Sequence, residues 1–259
     1  MLNYLRAELY KLFHRKYFWI TLLVTLGLES ILVGGWVFIN QNGSHVCFDE
    51  ALHMISYELV LGLYFTVIAG DIVFAGQYKN ATLKNEVSFG LPRWRIYLGK
   101  LAAQLMAALL LCAMMMIYYV ALCRLMLPAD GAASSEAALG EFGAQLLYAL
   151  PLWIGAQSAV CACLFLIKGG TGAAITAVAL FGALPVAVQI VGMMFGPYSF
   201  GAALLEVYPW LPSVMLERIP AYVSKGDWSY LANTCLVGGV WLAVPTLLGL
   251  WRFSRKEIN

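Results

Sequence analysis

Apolar residues run along this chain in long unbroken blocks, and polar residues are gathered into short intervals between them. Six blocks, at 18–39, 53–75, 101–123, 144–167, 172–195 and 230–251, are each long enough for a helix to cross a bilayer. None shows the short alternating pattern that a membrane barrel needs. A helix satisfies its own backbone hydrogen bonds, which hydrocarbon cannot do. The pattern predicts an all-α polytopic membrane protein with six transmembrane helices. Composition agrees: only 12% of residues are charged and 62% are hydrophobic, against about 25% charged in soluble domains. No repeat or composition shift divides the chain, so residues 1–259 read as a single transmembrane domain.

The intervals are not alike. Residues 1–17 predict an amphipathic helix lying in the membrane interface. Leu2, Leu5, Leu9, Leu12 and Phe13 fall in one stripe at helical spacing, with Tyr4, Glu8, Lys11 and Arg15 opposite. Such a helix turns its basic residues toward anionic headgroups, and contact with a cytoplasmic partner is a second role open to it. It lacks the short n-region and small-residue cleavage site of a signal peptide, so the first span is expected to remain as an anchor. Tyr17 and Trp19 begin that span at the depth of an aromatic belt. Residues 40–52 read as a plain connecting loop. Residues 128–140, PADGAASSEAALG, read as a solvated loop, and 168–171 as a tight turn. Residues 196–229 carry four of the nine prolines yet stay apolar. They predict short interfacial or re-entrant helices that cap the outer mouth, since irregular backbone at that depth needs protein or a cavity beside it.

Charge sets the orientation. With the N-terminus inside, the inner intervals hold thirteen of the sixteen Lys and Arg, and the outer ones only Arg124, Arg218 and Lys225. The positive-inside rule then predicts a multi-pass plasma-membrane protein with both termini cytoplasmic. Five of the six cysteines lie in or at the ends of spans, and Cys161-Ala-Cys163 has neither zinc nor redox spacing. They read as small packing residues.

Chemistry of its own is not evident. The chain has no GxxxxGK[ST] phosphate loop, no HExxH and no GxSxG elbow. It predicts no enzyme, no metal site and no cofactor held on this chain. Three acids lie within spans: Glu29, Glu58 and Asp71. A charge in the bilayer is costly, so such residues face a bundle interior or a cavity. They are candidate points on a translocation path. For Glu29, mid-span, a proton site and a hydrogen-bonded carboxyl at a helix contact both remain open. Small residues crowd the fourth and fifth spans and let helices approach closely. Pro151, Pro185 and Pro245 permit kinks.

One interval, 76–100, is long, basic and patterned. It holds five of the Lys and Arg: Lys79, Lys84, Arg93, Arg95 and Lys100. Residues 77–88 predict a short helix. Gly90 suits its C-cap and Pro92 the first turn of the next helix. The geometry is an elbow that climbs back into the third span.

The segment QYKNATLKNEVSFGLPRWRIYLGK resembles the coupling region of ABC-2 (type V) exporter permeases. Tyr78, Asn80, Thr82, Leu83, Lys84, Asn85, Gly90, Arg93, Tyr97 and Lys100 match that pattern, while Gln77 and Ala81 stand where Glu and Gly are usual. The N-terminal LRAELYKLFHRKYFW and the short basic tail FSRKEIN are also similar to that family. The resemblance implies a transport subunit whose ATP and Mg are held by a separate ATPase, present in two copies. A second permease copy or a paralogue would complete the transporter, in contact with membrane lipid and with no nucleic acid. It implies that Tyr78, Thr82, Leu83 and Glu86 enter the ATPase groove beside Asn80 and Lys84, and that Arg93 and Arg95 meet its acids or lipid phosphates. The path would run between two permeases. Bacterial permeases of this size, similar to the lantibiotic and bacitracin immunity type, imply export of an antimicrobial peptide or other amphipathic compound. Lipid, drug or ion export is an alternative, as is a proton-coupled secondary transporter using Glu29 or Asp71.

Overall fold

A computed structural model describes residues 2–43, 45–74, 82–129, 131–167 and 169–255. Among these the chain forms twelve α-helices and no strand. In order they are α1 (Leu2–Phe13), α2 (Lys16–Gln41), α3 (Phe48–Tyr57), α4 (Leu61–Phe74), α5 (Thr82–Ser88), α6 (Arg93–Met126), α7 (Ala132–Leu166), α8 (Gly170–Phe181), α9 (Ala183–Met194), α10 (Ser199–Val207), α11 (Pro212–Val223) and α12 (Trp228–Arg255). A single 3₁₀ turn, Tyr208–Trp210, links α10 to α11.

Four of them, α2, α6, α7 and α12, are long and apolar enough to cross a membrane unaided. The blocks expected as the second and fifth crossings are bent helix pairs, α3 with α4 at 68° and α8 with α9 at 41°, each long and apolar enough to cross only when the pair is taken as one span. The span expected at 53–75 is therefore broken at residues 58–60. It also begins earlier than expected, and residues 40–52 are not a plain loop. The Cys47 sulfur accepts the Glu50 N–H while the Glu50 carboxylate accepts the Cys47 N–H, a capping box that starts α3 at Phe48. The second of these bends falls at Gly182, with Pro185 in the first turn of α9, where its missing N–H costs nothing.

The solvated loop expected at 128–140 is also corrected. From Ala132 onward these residues are helical and extend α7 to 35 residues. Ala138 and Phe142 pack there with Val33, Phe48, Leu52 and Tyr119 in a small second core. That burial, added to the high helix propensity of alanine, outweighs the loop character of the serines and glycines.

Helix α7 is the hub, packed on α3, α4, α6, α8, α11 and, most extensively, α12. The α7–α12 crossing is close because small residues meet there. A Cβ on Gly238 would lie 2.3 Å from the Pro151 carbonyl oxygen, and one on Gly155 would lie 2.7 Å from that of Gly238. Helix α2 is the opposite case: it buries only Phe18, Leu22 and Val33. Residues 196–229 form the expected short helices, with α11 seated on α7 and α12 through Met215, Leu216 and Ile219. Cys112, Cys123, Cys161, Cys163 and Cys235 form no disulfide.

Candidate coupling site

Helices α1 and α5 and the start of α6 meet at the end of the bundle where α12 also finishes, called here the basic end. The turn between α5 and α6 is built as its residues dictate. Gly90 has φ +81°, the left-handed conformation that suits glycine. The Leu91 N–H reaches the Glu86 carbonyl and the Gly90 N–H reaches that of Val87, a complete Schellman stop. Pro92 stands one place earlier than expected, as the extended N-cap of α6.

Beneath this elbow lies a buried charge cluster. The Lys100 side chain is fully buried, with its ammonium 3.3 Å from a Glu8 oxygen and 3.6 Å from Glu86. Lys11 lies 2.8 Å from the other Glu8 oxygen and 3.8 Å from Glu86. The Tyr4 hydroxyl donates to Glu86 at 2.9 Å. Lys100 also sits 5.8 Å from the Tyr4 ring centroid and from that of Phe74, within cation–π reach. The Tyr4 ring lies against α6 where Gly99 leaves room; a Cβ there would approach it to 2.4 Å. One cluster thus ties the first helix, the elbow and the third crossing together. Burial works to raise the Glu8 carboxyl, but Lys100 and Lys11 overcome it and hold the group below the usual carboxylate range. Burial first, then the charges of Glu8 and Glu86, push the Tyr4 phenol well above its usual value, so it stays a neutral donor.

This geometry corrects the reading of α1. Tyr4 and Glu8 do not face headgroups opposite the leucine stripe. Glu8 is 3% exposed, and the inward arc runs from Tyr4 and Glu8 through Leu5 and Leu9 to Leu12. Phe13 is exposed, and so is Lys11. A buried ammonium needs a counter-charge more than the interface needs a polar face, and α1 turns to supply it.

Within α5, Leu83 packs on the main core and Glu86 faces Lys100, so both point into their own chain. The outward residues are Lys84, Asn85 and Ser88, followed by Phe89, which is 88% exposed. Thr82 is half-buried at the start of the helix. Tyr78 and Asn80 lie outside the described residues. Arg93 donates to the Phe253 and Ser254 carbonyls, both at 2.8 Å, and closes the end of α12. Arg15 does the same for α4 through the Ile72 and Val73 carbonyls. Arg95 is exposed, with its guanidinium 5.2 Å from the Trp94 ring centroid. Sequence reasoning missed Phe89 and the targets of both arginines. The exposed Phe beside a turn glycine was the available signal.

A family model for ABC-2 family transporter proteins matches residues 4–182. The chain belongs to the ABC-2 transporter family. No curated protein matches it. The ABC-2 match covers α1 from Tyr4, the elbow and the helices through α8. Permeases of this family are membrane transport components, generally without an ATPase of their own.

The intramembrane acids of this ABC-2 chain do not form one group. Glu29 on α2 and Glu58 at the end of α3 line one cavity of about 280 Å³ between α2, α3, α4, α6 and α7. Asp71 stands apart, with a carboxylate oxygen 3.3 Å from where a Cβ on Gly170 would lie. The sequence reading also passed over Gln104 and Gln157, a fully buried pair joining α6 to α7 at 3.0 Å.

Proposed function

We propose that the chain is the permease subunit of an ATP-driven exporter and that an ABC ATPase docks on the outer face of α5. The observation that carries this reading is the two-sidedness of the elbow. One side presents Lys84, Asn85, Ser88 and Phe89 outward, and the other is tied by Glu86 to Lys100 and Tyr4. A push on Phe89 would reach α6 through Lys100 and α1 through Tyr4 and Glu8. Arg95 would add a cation for acids of the partner or lipid phosphates. In this reading the basic end is cytoplasmic, ATP and Mg stay on the partner, and two ATPase copies serve two permeases of the bacterial plasma membrane. The weakly packed α2 supplies a surface for the second permease. The substrate read first is a peptide antibiotic or another amphipathic compound, with lipid, drug and ion export as the other members of the class.

Co-purification with the ATPase of the same transporter, followed by ATP hydrolysis and transport in proteoliposomes, tests this. Phe89→Asp with Lys84→Asp is expected to abolish co-purification and the stimulated hydrolysis while leaving the permease folded. Intact binding by that variant would remove α5 as the docking face. Transport driven by a proton gradient with no ATPase present would replace the whole reading with a secondary transporter.

A further inference from the structure

We infer that the cavity lined by Glu29, Glu58 and Gln157 is a binding site for a protonated amine on an apolar body. This site belongs to a single copy of the chain and does not rest on ATPase docking.

The hydrogen-bonding inventory of the cavity wall is one-sided. Its main donors are already engaged: Thr25 with the Thr21 and Leu22 carbonyls, Thr66 with that of Leu63, and the Trp153 indole with that of Leu59. One of the two Gln157 amide N–H groups donates to the Gln104 carbonyl oxygen. Two buried acceptors are left without a partner, the Gln157 carbonyl oxygen and one Glu29 carboxylate oxygen. Gln157 is fully buried, and its free oxygen, like that of Glu29, has almost no surface open to a water-sized atom, so a ligand reaches either one only as the wall shifts around it. Glu58 adds a second carboxylate on an exposed residue at the end of α3. No Lys, Arg or His lines the cavity among the described residues.

A buried orphan acceptor is costly, and a carboxylate among apolar walls is costlier still. A ligand that cancels both must bring N–H donors and a positive charge. The rest of the wall is apolar, including Leu28, Leu32, Phe65, Leu109 and Met116, so the ligand must also bring an apolar body. An alkylammonium meets all three requirements; an alcohol lacks the charge, and a quaternary ammonium lacks the N–H. The volume of about 280 Å³ lies at the small end of ligand pockets and suits a small amine or one side chain of a larger compound. Two sources share this chemistry: a free amphipathic amine, and the headgroup of an aminophospholipid. Glu29 lies thirteen residues into α2, roughly 20 Å along a helix that rises about 1.5 Å per residue. That depth favours a free amine over a headgroup anchored at the surface.

The test uses the purified chain without any ATPase, in phosphatidylcholine nanodiscs, with radiolabelled octylamine as the probe and empty discs as background. Saturable binding is expected, with octanol failing to compete. Glu29→Gln is expected to weaken binding about tenfold or more, the worth of a charge-assisted hydrogen bond. Ala108→Phe, which fills the cavity from α6 without touching a carboxylate, is expected to abolish binding and covers the case in which Glu29→Gln does not fold. Competition by added phosphatidylethanolamine would assign the amine to lipid, and its absence would assign it to a free compound. Equal competition by octanol, or unchanged binding in either variant, would overturn the inference. Because no ATPase is present, failure here leaves the docking reading standing, and failure of docking leaves this site standing.

Discussion

The Lys100 ammonium lies 3.3 Å from Glu8, a residue 92 positions away on a different helix, and neither side chain is more than 2% exposed. Two full charges at that depth are held by each other, by Glu86 and by Tyr4, and by little water. Such pairs are poor sources of net stability but are costly to break singly. They serve well as a latch, because elements that share a buried charge cannot part without exposing it or leaving it unpaired.

Breaking one partner and removing both should therefore differ. Glu8→Ala leaves Lys100 buried with only Glu86 at 3.6 Å. The expected loss is about 3 kcal/mol, the lower end for a broken buried pair. Glu8→Leu combined with Lys100→Met removes both charges and is expected to recover most of that loss. Thermal denaturation of the purified chain would rank wild type and double variant together, above the single. The pH dependence has a fixed sign. The folded Glu8 carboxyl sits below its unfolded value, so its contribution is complete above about pH 4.3. It is lost as pH falls through the lower folded value. Stability due to this group should be flat from pH 7 to 5.

Arg93 offers a second test at the same end. Its two bonds to the Phe253 and Ser254 carbonyls satisfy acceptors that α12 leaves open at its last turn. Arg93→Ala is expected to cost about 1–2 kcal/mol, as a cation at a helix C-terminus does in partly buried settings. Arg93→Lys should recover part of that loss, since both bonds come from the single Nη1 nitrogen and an ammonium can also donate twice. Hydrogen exchange should quicken at residues 250–255 and stay unchanged along the middle of α6.

These contacts explain which parts of the molecule could be read from sequence. The Gly90 stop was legible because positive φ is a local demand that one residue type meets. The membrane class and the short helices of 196–229 were legible because apolar length and proline placement are also local. The inward turn of Glu8 was not, since its cause is Lys100, far along the chain. Leu5, Leu9 and Leu12 fall in the buried arc, as the stripe predicted, but the arc extends to Tyr4 and Glu8 and leaves Phe13 exposed. Arg93 was expected to meet acids of the ATPase or lipid phosphates because its acceptors here lie 160 positions on. The break at 58–60 carries neither glycine nor proline, so nothing local announces it. Phe89 was overlooked because a lone aromatic is unremarkable until its surroundings show that it is uncovered.

The α7–α12 crossing gives a paired control within two adjacent residues. A methyl on Gly238 would meet the Pro151 carbonyl at 2.3 Å, while one on Gly239 meets nothing within 4 Å. Gly238→Ala is expected to destabilise by about 1–3 kcal/mol through overpacking. Gly239→Ala should be neutral or stabilising by up to about 1 kcal/mol, since alanine is the better helix former. Melting of the two variants in one detergent would separate packing from propensity. Equal effects would mean that α7 and α12 are not in this contact.

The sharpest test of the latch is the mildest substitution. Tyr4→Phe keeps the ring against Gly99 and over Lys100 and removes only the hydroxyl that donates to Glu86. Because burial and nearby acids keep that phenol neutral, the loss should be the same at any pH near neutrality. A single hydrogen bond is worth about 1 kcal/mol, so folding should scarcely change. Coupling should change more, because this bond is a closer tie between α1 and α5 than the 3.8 Å Lys11–Glu86 contact beside it. With the ATPase partner in proteoliposomes, ATP hydrolysis should persist while substrate moved per ATP falls by about fivefold, the equivalent of that bond. Glu86→Gln should act in the same direction. If transport and hydrolysis fell together in Tyr4→Phe, the bond would be part of ATPase docking instead of the link between α5 and α1. If neither fell, the tie between α1 and α5 would be structural alone.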